Sequence, residues 1–94
     1  MNDVITKHYY LQGNVQGVGC RDFVVREAKS RGVTGWVRNL NDGRVEVMAK
    51  GTPAALNQLE EQLHVGPPLA TVVAVESETV AMPTGNYVDF KKIS

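Results

Sequence analysis

An α+β sandwich, with two helices on one face of a mostly antiparallel sheet, is the fold this sequence predicts. Three observations carry the prediction. Strand-like and helix-like stretches follow one another in the order strand, helix, strand, strand, helix, strand. The two middle strands are joined by Asn41-Asp42-Gly43, residues suited to a hairpin turn. The second helix carries a stripe of Leu56, Leu59 and Leu63 between a threonine cap and a Gly-Pro-Pro stop.

Taken in order, Lys7 to Gln12 is rich in Tyr and Leu and reads as a strand that stops at Gly13. A helix is expected from Arg21 to Arg31. Val24 and Ala28 lie four apart, Phe23 and Val25 widen their stripe, and Gly32 is a C-terminal stop. Thr34 to Leu40 and Arg44 to Lys50 are the hairpin strands. In the second, Val45, Val47 and Ala49 alternate with Glu46, Met48 and Lys50, so one face should be buried and the other wet. Thr52 caps the next helix, Pro53 suits its first turn, and Gly66-Pro67-Pro68 ends it. A β-branched stretch from about Leu69 to Val80 is the fourth strand. After Pro83-Thr84-Gly85 a short fifth strand is expected around Tyr87 to Lys91. Two strand–helix–strand halves joined by a hairpin make the split βαβ, or ferredoxin-like, sandwich. That architecture hosts many functions, so function must be read from particular residues.

Composition narrows the field. Ninety-four residues are expected to form one domain, residues 1–94, with no linker or low-complexity tract. Ten basic and ten acidic residues cancel, so bulk charge favours neither nucleic acid nor a membrane surface. The single cysteine, Cys20, excludes an internal disulfide and suits a reducing compartment. The N-terminus lacks a long hydrophobic region, and the longest apolar-looking stretch, Leu69 to Val75, is far short of the roughly 20 residues that span a bilayer. A cytoplasmic monomer is the expectation.

The chemistry concentrates in Gly13-Asn-Val-Gln-Gly-Val-Gly-Cys-Arg21. Three glycines stand where a strand gives way to a helix. Glycine opens conformations closed to other residues and lets a ligand approach the peptide plane. A helix start adds unpaired N–H groups and a positive dipole end, and arginine adds a fork of donors suited to phosphate or carboxylate. From these residues alone, two readings stand side by side: an anion cradle, or a glycine-rich turn beside a surface arginine.

Three better-known loops do not fit. A Walker loop needs Gly-Lys-Ser/Thr, and here Gly17 is followed by Val18-Gly19-Cys20. A dinucleotide fingerprint fails because Asp22 stands where a third glycine belongs. Cys20 and Arg26 have the spacing of cysteine-dependent phosphatases, but the residues between them are helical. That would turn Arg26 roughly 240° around the helix from Cys20.

Gly13-x-Val15-Gln16-Gly17-Val18-Gly19-x-Arg21-x-Phe23 resembles the first signature of the acylphosphatase family. A second follows at the expected distance: Gly35-Trp36-Val37-Arg38-Asn39, then Gly43-x-Val45 and Gly51. From Gly13 to Gly51 the two motifs span about two-fifths of the chain. The resemblance implies a hydrolase of small acyl phosphates, with no metal and no cofactor, that splits the carboxyl–phosphate bond. It implies further that the amides of the Val15–Cys20 loop (Val15, Gln16, Gly17, Val18, Gly19 and Cys20) and Arg21 hold the phosphoryl group. Asn39 would then position the attacking water. Inorganic phosphate or another small anion should occupy the same loop.

Each residue also has a plainer reading. Asn39 alone would be taken for a turn residue before the hairpin. Trp36 and Phe23 are expected to be packing residues. His8 and His64 have no Cys, His or carboxylate neighbour at metal-ligand spacing, and Asp3, Asp22 and Asp42 form no carboxylate pair. Asp22 is expected to complement the helix N-terminus. Cys20 departs from the family's usual aromatic residue. It is read either as a small packing residue or as a reactive, lowered-pKa thiol at a helix end beside arginine. The alternative function is a non-catalytic ferredoxin-like module that binds phosphate or carbamoyl phosphate. An RNA-binding sheet would need paired exposed aromatics and a basic balance, which the sequence does not offer.

Overall fold

The first strand begins at Ile5 and runs further than its hydrophobic pattern requires, to Asn14, giving β1 (Ile5–Asn14). A computed structural model of the chain describes residues 3–81 and 87–93. Next come α1 (Cys20–Lys29), β2 (Thr34–Asn39), β3 (Val45–Gly51), α2 (Pro53–Val65), β4 (Thr71–Thr79) and β5 (Phe90–Lys92). The expected turn at Pro83-Thr84-Gly85 lies outside the described residues.

The strands form one sheet in the order β4-β1-β3-β2-β5. All neighbours are antiparallel except β2 and β5, which run parallel and pair Gly35 with Phe90. Both helices pack on this sheet and on each other. The alternation read from the sequence sets the two faces. Tyr9 and Leu11 of β1, Val37 of β2, Val45, Val47 and Ala49 of β3 and Phe90 of β5 are buried under the helices. They meet Phe23, Val24 and Ala28 from α1, and Leu56, Leu59 and Leu63 from α2.

Both helix ends follow local rules. Thr52 Oγ1 accepts from the N–H of Ala55 at 3.2 Å, and Gly66 N–H donates to the Gln62 carbonyl at 2.9 Å. The cap of α1 is different: Gly19 sits there in the left-handed region and offers no side chain. Among the described residues no helix is long and apolar enough to cross a membrane.

Two expectations need correction. β1 does not stop at Gly13. It continues through a bulge between Gln12 and Gly13, where the partner in β4 jumps from Ala74 to Val72. Glu46, on the face expected to be wet, is only 6% exposed. His8 and Arg38 close over its carboxylate from β1 and β2. Trp36, expected to be a packing residue, is half-buried on that open face, where the Arg38 guanidinium lies 5.3 Å from its ring centre.

Candidate active site

The loop between β1 and α1 begins with Val15, which is buried and pins its first residue into the core. Gly17 and Gly19 then take φ of 75° and 79°, values that an L side chain adopts only under strain. The first bond closing the helix runs from Phe23 N–H to the Gly19 carbonyl at 3.0 Å. Upstream of it, no backbone carbonyl among the described residues accepts from the N–H groups of residues 15 to 22, and no side chain caps the helix. The result is a run of free donors at the positive end of α1, which suits an anion.

The approach of β1 to this loop is constrained by contact. Gly13 has φ of 127°, and a Cβ added there would lie 2.1 Å from the Thr71 carbonyl oxygen. No side chain fits between β1 and β4 at that point.

Arg21, the second residue of α1, is half-buried. Arg31, Arg38 and Arg44 each hold a carboxylate, whereas Arg21 holds none among the described residues. Its sequence neighbour Asp22 is engaged by Lys92, Nζ to Oδ1 at 3.0 Å. That hydrogen bond, aided by the charge of Lys92, holds the Asp22 carboxyl below its ordinary range. Asp22 also stands in the first turn of α1, where a negative charge complements the helix dipole.

Asn39 ends β2. By the strand's period it shares a face with Gly35 and Val37, the face under the helices. Its backbone partner is Val45. Its Oδ1 is buried and has no hydrogen-bond partner among the described residues. Buried amide oxygens are nearly always satisfied, so this one offers an acceptor to a water or a ligand.

One residue links loop and strand. Gln16 Nε2 donates to the Leu40 carbonyl at 2.7 Å and to the Arg44 carbonyl at 2.9 Å, across the base of the β2–β3 hairpin. Sequence reasoning placed Gln16 in the loop but could not see this tie, because its partners lie 24 and 28 residues away. The His8–Glu46–Arg38 group was missed for the same reason. The period-2 pattern does put all three on one face, a signal that becomes usable once the register is known.

Cys20 is buried, and desolvation raises its thiol to about 11. Burial of this side chain supports the small-packing reading over the reactive thiol. Val18 is half-buried and packs against the core, while Gly17 and Gly19 are exposed. Beside the loop, a hollow of about 450 Å³ opens between Gln12 and Gly13 and the hairpin tip, Asp42, Gly43 and Arg44. Among the described residues, no three His, Cys, Asp or Glu side chains are placed to share a metal ion.

The chain has known relatives. The chain matches the acylphosphatase family model over residues 7–92. It is 46% identical over 76 residues to an acylphosphatase of Solibacter usitatus, covering 81% of this chain and 79% of that protein. Among solved structures, an acylphosphatase from Coxiella burnetii superimposes with a TM-score of 0.90 at 36% identity, over 97% of this chain and 94% of that one. HypF of T. kodakarensis matches with a TM-score of 0.82 at 34% identity, over 94% of this chain but only 12% of its own.

Proposed function

The chain belongs to the acylphosphatase family, and from that membership we propose that, as a single domain, it hydrolyses small acyl phosphates to a carboxylate and phosphate without a metal ion. In this reading the amides of residues 15 to 20 and the Arg21 guanidinium hold the phosphoryl oxygens, and Asn39 orients the attacking water. The observation that carries it is the buried Oδ1 of Asn39, which has no partner among the described residues. A buried acceptor left unpaired costs about 1–3 kcal/mol, and a water donating to it relieves that cost.

The small cast suits the chemistry. The leaving carboxylate has a conjugate acid of pKa roughly 4, so no strong general acid is needed to expel it. Phosphoryl transfer rests on positioning and on stabilising charge over the equatorial oxygens. Fixed N–H donors and the Arg21 guanidinium, which holds no carboxylate among the described residues, supply that stabilisation without rearranging during reaction. As water oxygen bonds to phosphorus and the carboxylate departs, a phosphoryl oxygen takes the water's proton. Asn39 remains neutral throughout, because an amide can orient water but cannot act as a strong base.

Inorganic phosphate, the product, binds the same loop. The protein acts as a monomer in the cytoplasm, where a buried free thiol is suited to the reducing compartment. A second reading is a module that binds phosphate or carbamoyl phosphate without turnover, using the loop and Arg21 as an anion cradle alone. Such a binder has no use for the Asn39 amide.

The test is hydrolysis of a generic acyl phosphate in excess chelator by the wild type and Asn39→Ala. Turnover that survives chelator, and falls in the variant while phosphate still binds, is expected. An inactive wild type would overturn the enzyme reading, and inhibition by chelator would overturn the metal-free route.

A further inference from the structure

We propose that Gln16 is a positioning residue whose side chain sets Asn39 against the loop and makes no contact with substrate. This rests on the roles proposed above for the loop and Asn39.

A glutamine amide has two N–H donors. Both are committed, one to the Leu40 carbonyl at 2.7 Å and one to the Arg44 carbonyl at 2.9 Å. What remains is Oε1, an acceptor, which has nothing to offer a phosphoryl group made of acceptors. The side chain of Gln16 is thus spent on the hairpin, while its backbone N–H is free for the anion.

The two carbonyls it holds are the pair that closes the turn. Leu40 N–H donates to the Arg44 carbonyl at 2.8 Å, and Gly43 N–H donates to the Leu40 carbonyl at 3.3 Å. Gln16 binds across this closure one residue beyond Asn39. α1 packs on β2 through the core, and among the described residues Gln16 supplies the side-chain hydrogen bonds that join the loop to the hairpin. Through Gln16 the water-orienting amide and the phosphate-holding amides share one frame.

The loop's own shape has independent supports, namely buried Val15 and the left-handed glycines. Removal of the Gln16 amide should therefore spare phosphate affinity and damage turnover, because displacing a reacting group by about 1 Å can cost ~100-fold. The two carbonyls each keep one other hydrogen bond, so the hairpin should survive.

The test uses Gln16→Met, which keeps the length of the stem without the donors, and Gln16→Ala, each alone and combined with Asn39→Ala. Expected are a fall in kcat of about 10- to 100-fold and a phosphate inhibition constant within about 3-fold of wild type. In the Asn39→Ala background, Gln16→Met should then lower kcat no further, as expected of residues that act as a unit. An unchanged kcat in both Gln16 variants, a matching loss of phosphate affinity, or full additivity with Asn39→Ala would each overturn the proposal while leaving the role of Asn39 intact. Wild-type turnover in Asn39→Ala alone would instead remove that role, and the positioning proposal with it.

Discussion

His8 and Glu46 meet diagonally across β1 and β3, with Nε2 2.6 Å from Oε2 on the sheet face away from the helices. Arg38 donates to the other carboxylate oxygen from β2. Burial alone would raise the Glu46 carboxyl. The hydrogen bonds from Arg38 and His8 outweigh it and hold the group below its ordinary 4.5. A depressed folded pKa contributes stability that is present above 4.5 and lost as pH falls through the folded value.

Glu46→Gln should therefore destabilise the protein at neutral pH by about 1–3 kcal/mol, toward the lower end because the half-exposed Arg38 is screened by solvent. The deficit should narrow below about pH 4.5, where the wild type loses the same contribution. Urea unfolding at neutral and acid pH measures it. Turnover should be unaffected, since Asn39 lies on the opposite face. An equal deficit at all pH values would contradict the assignment.

Gly13→Ala should cost far more than Gly32→Ala. Both glycines have positive φ, 127° and 70°. A Cβ at Gly32 meets open space, leaving only backbone strain of about 1–2 kcal/mol. At Gly13 it strikes the Thr71 carbonyl at 2.1 Å, so β1 and β4 must part. A loss of ~2–5 kcal/mol is expected there from strain and overpacking together. Thermal unfolding of the two variants checks the order.

Cys20→Ala should keep turnover within about 3-fold, since the loop offers a backbone N–H at this position, and should cost roughly 1 kcal/mol of packing. With its thiol raised to about 11 by burial, native Cys20 should resist alkylation at pH 8 and react once unfolded. Rapid labelling of the folded protein would show that the thiol is accessible after all.

Arg21→Lys preserves charge but loses the planar fork. A drop in kcat/KM of about 100- to 1,000-fold is expected, the scale of losing one pre-set donor to a transition-state oxyanion. Steady-state kinetics, with phosphate as competitive inhibitor, separates lost binding from lost turnover. Near wild-type kinetics for the lysine variant would mean that charge alone suffices.

Much of the molecule was legible because its signals are local. The α2 cap at Thr52, the leucine stripe and the Asn41-Asp42-Gly43 turn each act within a few residues, as hydrogen bonds to near neighbours and side-chain periods do. The loop glycines belong to this class, since positive φ at Gly17 and Gly19 is a property of single residues. By itself the sequence determined the element order, the apolar faces of α1, β3 and α2, and where a glycine-rich loop would join a strand to a helix. The tertiary structure decided what depends on register and burial. It carried β1 through Gly13 into a bulge, set β5 parallel to β2, and closed His8 and Arg38 over Glu46. It also took the Cys20 thiol out of water and turned Gln16 toward a hairpin 24 residues away. Those outcomes are long-range: each requires two elements to be docked before the energies of desolvation and hydrogen bonding that fix them exist.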